Sequence, residues 1–324
     1  MASIYLPSRW ALLARDAFNG KLLWRQPIDP WFSRMKGLKD GPADAPRRLI
    51  AAGGRVYATL SLHGPVTELD AKSGNVLRSL AGTDGAEEIL LSDGVLFVLI
   101  GPGSLGDGAR ITRPVEKREI VAVDVKSGEQ LWRSADVVAA MTMAVDAAGL
   151  YYLNFEKKQI VGLDRKTGKP KWSSQVVPVP ARQTSFFASK LVVSDSVVLL
   201  ASGEHSGLMK SGGGGVKDDT LTAVDAKTGK TMWTADHSPS GYSSPEDLFV
   251  IDGQVWFSAA SNGRFDGTVT ALDLKTGDVK RQFPEDKSSY WFHHRCYSGR
   301  ATCNYMLTSR TGIEFIDLEK EQWD

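Results

Sequence analysis

The residues best suited to chemistry are charged side chains that stand just before short apolar runs. Pairs such as Glu87-Glu88 and His293-His294 could hold a polar ligand, a metal or a peptide, and a histidine beside a carboxylate could transfer a proton. Aligned on the turn that follows each run, the charged set is Arg48, Glu87, Glu88, Lys190, Glu246, Asp247, His293, His294 and Arg295. If the runs are strands around a common axis, these side chains form one mouth of a channel. We predict ligand or partner binding there; mutual salt bridges in a solvated funnel are the alternative.

Histidines and cysteines give no clear metal site. Adjacent residues of a strand point to opposite faces, so His293 and His294 cannot easily share one ion, although Glu88 or Asp247 could join one of them. Aromatic packing around them, with Arg295 on an acidic neighbour, is the preferred interpretation, and we predict no metal site. Cys296 and Cys303 could face each other across a hairpin, and the sequence leaves a disulfide and a reduced pair equally open.

A repeated element must position these residues. In each copy a strand-like run ends in aspartate, a turn with glycine follows, and a second run often ends in tryptophan. The aspartates are Asp16, Asp70, Asp124, Asp164, Asp225, Asp273 and Asp317, and the tryptophans are Trp24, Trp132, Trp172, Trp233 and Trp323. The carboxylate accepts turn N–H groups, the glycine is left-handed, and the indole covers the next repeat. Leu77 and Lys280 stand near the tryptophan position of two copies, where we expect weaker docking.

A second hairpin precedes each aspartate hairpin, so one period holds four short strands. Four strands in about 45 residues, repeated without helical periods, predict an all-β propeller of four-stranded antiparallel blades. Six full blades and a leading half occur within residues 1–324, which we interpret as a single domain. Open blade edges invite self-association. We therefore expect a piece of a longer chain, cut at both ends, with seven or eight blades; a ring closed on six blades is the alternative.

The repeats resemble the PQQ-type propeller family. The resemblance rests on Asp70-Ala71-Lys72-Ser73-Gly74, on residues 124–132 and on residues 225–233, and it covers nearly the whole chain. It implies one of two activities: a quinoprotein dehydrogenase with PQQ and calcium, or a cofactor-free scaffold such as the propeller lipoprotein of outer-membrane assembly. The adjacent Cys-Cys and the calcium set of the enzymes find no match here. We therefore expect a non-catalytic scaffold without cofactor, with a quinoprotein-type oxidoreductase or another propeller enzyme as the alternative.

Composition and loop lengths narrow the partner class. Lys and Arg total 39 against 38 Asp and Glu, a balance that argues against nucleic-acid binding, and no apolar run reaches the roughly 18 residues of a membrane span. The long connections fall mostly after the second and fourth strands of each period, on one side of the scaffold, where binding usually occurs. We expect a protein or a small polar ligand on that side. The resemblance implies a periplasmic, envelope or secreted location in bacteria, although Met1–Tyr5 lacks the pattern of a secretory signal.

Overall fold

Short antiparallel strands make up nearly all the described secondary structure. The computed structural model describes residues 10–29, 45–101, 115–181, 189–202, 219–237, 248–258, 268–284, 299–308 and 314–323. These residues form one two-stranded sheet and six four-stranded sheets, each with its strands in sequence order. This arrangement confirms the four-stranded repeat predicted from the sequence. No helix in this part of the chain is long and apolar enough to cross a membrane.

The strands group into two compact units. The first unit comprises Met1–Asp107, Glu116–Asp136 and Lys166–Gly168. Its sheets are S1, with β1 (Ala11–Arg15) and β2 (Leu22–Pro27); S2, with β3 (Leu49–Ala52), β4 (Arg55–Thr59), β5 (Val66–Asp70) and β6 (Val76–Ser79); and S3, with β7 (Ala86–Ser92), β8 (Val95–Ile100), β9 (Arg118–Asp124) and β10 (Gln130–Asp136). A 3-10 helix, Ala45–Arg48, leads into β3.

The second unit comprises Gly108–Val115, Val137–Arg165 and Lys169–Asp324. Its first two sheets are S4, with β11 (Ala144–Val145), β12 (Leu150–Asn154), β13 (Gln159–Leu163) and β14 (Pro170–Val176); and S5, with β15 (Lys190–Ser194), β16 (Val197–Ser202), β17 (Asp219–Asp225) and β18 (Thr231–His237). The last two are S6, with β19 (Phe249–Ile251), β20 (Gln254–Ser258), β21 (Thr268–Asp273) and β22 (Val279–Pro284); and S7, with β23 (Arg300–Ala301), β24 (Tyr305–Thr308), β25 (Glu314–Asp317) and β26 (Gln322–Trp323).

Apolar faces of successive sheets bury each other within each unit. In the first unit Val98 and Val121 of S3 pack in one cluster with Tyr57 of S2. In the second unit one cluster joins S4 to S5, another joins S5 to S6, and a third joins S6 to S7. The middle strands are buried along most of their length because both of their faces are covered. The core therefore lies between sheets, and the strand ends remain for other roles.

The aspartate turns close the third and fourth strands of each sheet. In the turn at Asp70 the carboxylate Oδ1 accepts the N–H groups of Lys72 at 3.1 Å and Ser73 at 2.8 Å. Gly74 follows at φ +75°, a left-handed conformation that glycine adopts without steric cost. Five further turn aspartates accept the same pair of N–H groups: Asp16, Asp124, Asp225, Asp273 and Asp317. The fold class predicted from these turns is thus matched by their hydrogen bonds.

Each four-stranded sheet has two chemically different ends. Antiparallel pairing places the turn between the first and second strands at the same end as the aspartate turn. We call this end the turn side. The other end, the connection side, is where the second and fourth strands end; the links that follow them include residues 30–44, 102–114 and 203–218, which lie outside the described residues. Nearly all the long links are on the connection side, as the sequence predicted.

Candidate functional site

The predicted mouth residues of the first unit form a buried cluster of charges. Arg48 ends the 3-10 helix, and its side chain is only 2% exposed. Its Nη1 donates a 2.7 Å hydrogen bond to the carbonyl oxygen of Leu62, in the link between β4 and β5. The guanidinium therefore fastens the entry of β3 to the connection side of the same sheet.

Glu87 occupies an irregularity in the pairing of β7 with β8. Ala86 pairs with Ile100 and Glu88 pairs with Leu99, so Glu87 is an extra residue between them. Such a bulge re-aims side chains. The Glu87 carboxylate lies 2.8 Å from Nε of Arg118, the first residue of β9, and this pair is almost fully buried. A side chain at Gly101 would collide with the Glu87 carboxylate, so that glycine makes room for the pair.

Glu88 is the second buried carboxylate of the cluster. It is 1% exposed and forms an ion pair with Arg47 of the 3-10 helix. The helix thus brings Arg47 and Arg48 to the first strands of S2 and S3. Arg47, Arg48 and Arg118 outnumber the two carboxylates, so the cluster carries a formal charge of +1.

This cluster suits neither a divalent cation nor proton transfer. Each carboxylate already faces a guanidinium, and a cation placed there would be repelled by three arginines. Among the described residues no three His, Cys, Asp or Glu side chains form a group that could hold a metal ion. The calcium of quinoprotein dehydrogenases therefore does not fit the described part of the predicted mouth. Buried, paired charges of this kind instead fix strand ends in one arrangement.

The second unit contributes one described mouth residue, Lys190. It begins β15, and its Nζ lies 5.3 Å from the ring centroid of Phe249, a cation–π contact. Beside it the hydroxyls of Ser189 and Ser202 share a buried 2.7 Å hydrogen bond. Glu246, Asp247, His293, His294, Arg295 and Cys296 lie outside the described residues, and their predicted roles remain predictions. Cys303 is exposed in the link between β23 and β24.

Sequence reasoning missed Arg118, the buried partner of Glu87. It is the first residue of β9. Its place at the start of β9 puts it at the same strand end as the Glu87-Glu88 pair, but that placement does not by itself identify Glu87 as its partner. Arg48, Glu88 and Met143, which stands at the equivalent place in S4, are all buried, and their predicted role in binding stays a prediction.

Four of the predicted docking tryptophans cover the turn of the next repeat: Trp24, Trp132, Trp172 and Trp233. Within the first unit Trp24 Nε1 donates to the Ala71 carbonyl at 2.9 Å, and its ring packs on Gly74. The ring of Trp132 packs on Gly168 in the same unit. In the second unit Trp172 binds the Ala226 carbonyl at 3.0 Å, and Trp233 binds the Leu274 carbonyl at 3.1 Å. Trp323 lies in β26, paired with Ile316.

The two copies without tryptophan use arginine, which corrects the assignment of Leu77 and Lys280. That assignment was one residue early, because the docking side chain stands four residues after the turn glycine. Arg78 donates through Nη2 to the Val125 carbonyl, and Arg281 donates through Nη1 to the Leu318 carbonyl at 2.5 Å. The accepting carbonyl follows the turn aspartate, as it does for Trp24. Leu77 is 49% exposed.

Comparison with known proteins identifies the family. Residues 11–283 match the family model described as outer membrane protein assembly factor BamB. The chain belongs to this family. Comparison with curated protein sequences gives no match.

Solved structures with the same fold include BamB-family and quinoprotein members. BamB from Moraxella catarrhalis is 16% identical, with a TM-score of 0.54 over 97% of this chain and 86% of that one. A quinohemoprotein alcohol dehydrogenase from Pseudomonas putida is 14% identical, with a TM-score of 0.57, and the chain covers 60% of it. A europium-containing methanol dehydrogenase is 12% identical, with a TM-score of 0.57. These similarities establish the PQQ-like β-propeller fold.

Proposed function

We propose that this BamB-family chain is a non-catalytic binding scaffold of the bacterial cell envelope, and that its partner is a protein bound on the connection side. The observation that carries the proposal is the unequal character of the two sheet ends. The turn side is occupied by aspartate turns whose polar groups bond to each other and to docking side chains. The connection side carries the long links, and long links on a rigid scaffold are where binding usually resides.

The chemistry of the charged cluster supports a scaffold rather than an enzyme. A catalytic acid or base needs a carboxylate or histidine within reach of a substrate. Glu87 and Glu88 are instead buried and paired with Arg118 and Arg47. The family description names an assembly factor, which agrees with a protein partner. Ligand binding by Arg48, Glu87, Glu88 and Lys190 at a channel mouth remains a prediction within this proposal.

Site-specific photo-crosslinking tests which end binds the partner. A photo-reactive amino acid replaces His63 or Asp84, both exposed on the connection side of S2, in the full-length protein of its native host. Matched controls replace Lys72 and Lys227, exposed in aspartate turns. We expect one defined protein adduct, identified by mass spectrometry, from the connection-side positions only. Adducts from the turn-side positions alone would contradict the proposal.

Reconstitution tests the alternative, a quinoprotein oxidoreductase. The purified chain is incubated with PQQ and Ca²⁺, desalted and examined for bound quinone absorbance and for dye reduction with alcohols and sugars. We expect neither retained quinone nor dye reduction. Stoichiometric quinone retention with substrate-dependent dye reduction would show that the chain is an enzyme and would contradict the scaffold proposal.

A further inference from the structure

A groove opens in the first unit where arginine stands in place of the docking tryptophan. It has a volume of about 560 Å³, which is within the range of small-molecule sites. The side chains that matter are Arg55, Tyr57, Glu68, Leu77, Arg78 and Lys126. We call it the Arg78 groove. Its wall is apolar at Leu77 and Leu91, and its floor is charged.

Glu68 fixes two guanidinium groups in the floor. It is buried, and its Oε1 accepts from Arg55 Nε at 3.0 Å while its Oε2 accepts from Arg78 Nε at 2.6 Å. Asp70 Oδ2 adds a weaker contact, 3.5 Å from Arg55 Nη1. Both carboxylate oxygens of Glu68 are thus occupied, and the two arginines are held in place before any ligand arrives.

Several donors of the groove remain unused by the described part of the chain. Arg55 Nη2, Arg78 Nη1, Lys126 Nζ and the Tyr57 hydroxyl form no hydrogen bond to a described residue. Tyr57 is only 4% exposed, yet it lines the groove. Burial and the neighbouring Glu68 charge raise the pKa of this phenol, so that it stays protonated as a donor at neutral pH.

Comparison with the junction at Arg281 indicates that packing does not exclude a tryptophan at position 78. Arg281 faces Glu321, which stands where the other turns have glycine, and these two side chains approach to 3.9 Å. An indole there would collide with the Glu321 Cβ, because a Cβ at Gly74 would lie 2.5 Å from the Trp24 ring. The Arg78 junction retains its glycine, Gly128, and its Val125 carbonyl. Tryptophan would therefore fit at position 78, but it would fill the groove.

We propose that the Arg78 groove binds a carboxylate carried on an apolar group, such as the free C-terminus of a peptide that ends in a leucine. The carboxylate meets the free guanidinium nitrogens of Arg55 and Arg78 and the Tyr57 hydroxyl, and the apolar group lies against Leu77 and Leu91. Guanidinium forks match the planar, two-oxygen geometry of a carboxylate. This site lies on the turn side and is independent of the scaffold's connection-side partner.

Calorimetric titration of the full chain with small probes tests the groove. The probes are N-acetyl-Leu-Leu as the free acid, the same dipeptide as its neutral amide, and hexanoate. We expect the acid to bind with a Kd below about 1 mM and the amide at least tenfold more weakly, about the loss of one charge-assisted hydrogen bond. If hexanoate binds as tightly as the dipeptide acid, a carboxylate on a short apolar chain is sufficient for binding. If the dipeptide acid binds more tightly than hexanoate, the groove recognises the C-terminus of a peptide. Either result supports the proposal.

Variants at the two arginine junctions separate the groove from general effects. Arg78→Gln should weaken acid binding at least about tenfold, whereas Arg281→Gln should leave it unchanged. Arg78→Trp should abolish binding without lowering the thermal midpoint, because the ring can dock on Gly128. Binding of acid and amide with equal affinity, no binding by about 10 mM probe, or unchanged binding by Arg78→Trp would overturn the proposal.

Discussion

Two kinds of junction hold successive sheets together, and they differ in what they leave open. At tryptophan junctions the indole fills the space over the next turn and donates one hydrogen bond, as Trp233 does to Leu274. At arginine junctions the guanidinium donates to the equivalent carbonyl, but a thin, branched head leaves volume beside it. Two grooves among the described residues contain such an arginine, Arg78 in one and Arg281 in the other. The same hydrogen bond is therefore found at a filled junction when tryptophan donates it and beside a groove when arginine donates it.

The two arginine junctions also differ from each other in charge. The Arg78 groove has three cationic side chains around one buried carboxylate, Glu68. The Arg281 groove is smaller, about 230 Å³, and includes Asp252 and Glu319 among its walls. Arg281 is further occupied by Glu321 and lies 6.0 Å from the Trp256 ring centroid. At the Arg281 junction, Glu321 explains why arginine stands in place of tryptophan. At the Arg78 junction, the same exchange leaves an open surface that can bind an anion.

Removing an indole should cost more stability than removing a guanidinium. Trp233 is 9% exposed and packs on Gly277, so Trp233→Ala should destabilise the chain by about 3–5 kcal/mol. The Arg281 side chain is 36% exposed, and Arg281→Ala removes one hydrogen bond and a weak ion pair. This variant should therefore lose only about 1 kcal/mol of stability. Urea unfolding of both variants measures the difference. Equal losses would show that the two junction types are energetically alike.

Substitution of the turn glycines on which the docking side chains pack should show the same difference in stability between the two kinds of junction. A Cβ at Gly229 would lie 2.4 Å from the Trp172 ring, and its φ is +71°, so Gly229→Ala should cost about 3 kcal/mol from strain and overpacking. Gly128 has a similar φ of +79°, but its added Cβ meets only the terminal atoms of one side chain, Arg78 Nη1 at 2.7 Å, and not an indole ring. Gly128→Ala should therefore cost about 1 kcal/mol. A loss at Gly128 as large as at Gly229 would remove indole contact as the cause.

A double-mutant cycle tests why arginine stands at position 281. Glu321 adopts a left-handed φ of +56° at the place that glycine occupies elsewhere. Arg281→Trp alone should destabilise the chain, because the ring meets the Glu321 Cβ, and Glu321→Gly should restore stability in the double variant. We expect a coupling free energy of about 1–2 kcal/mol from thermal and urea unfolding. Additive single effects would show that the glycine and the indole are not linked.

Sequence reasoning recovered the periodic parts of this molecule and missed what depends on pairing. The aspartate turns and docking tryptophans recur at fixed offsets, so four-stranded sheets could be predicted without coordinates. Arg78 and Arg281 were overlooked because the docking position was placed one residue early, at Leu77 and Lys280. Arg118 was overlooked because its partner, Glu87, sits in a bulge, and a bulge leaves no signature in a single sequence. Spatial pairing of charges needs the register between strands.

Acid should lower the stability contributed by the turn aspartate equally at the two kinds of junction. This is the smallest effect per residue among these predictions. The N–H of Ser127 lowers the pKa of Asp124, whose turn receives Arg78, and the N–H of Lys275 lowers the pKa of Asp273, whose turn receives Trp233. A lowered carboxyl pKa in the folded state adds stability that is complete above the ordinary aspartate value of 3.8 and is lost as pH falls through the lowered value. Stability should therefore be flat toward pH 4 and decline below it.

Asparagine keeps the accepting oxygen but does not titrate, so it isolates the carboxylate's share. Asp124→Asn and Asp273→Asn should each flatten the acid decline by a similar amount, measured by urea unfolding between about pH 5 and pH 2.5. Similar changes are expected because a backbone N–H of the turn is the largest cause of both lowered pKa values; Lys280, whose Nζ lies 3.5 Å from Asp273 Oδ2, adds to the lowering at Asp273 only. A clearly larger change at Asp124 would mean that the nearby Arg78 guanidinium contributes to the turn charge, and the two junction types would then differ in electrostatics as well as in packing.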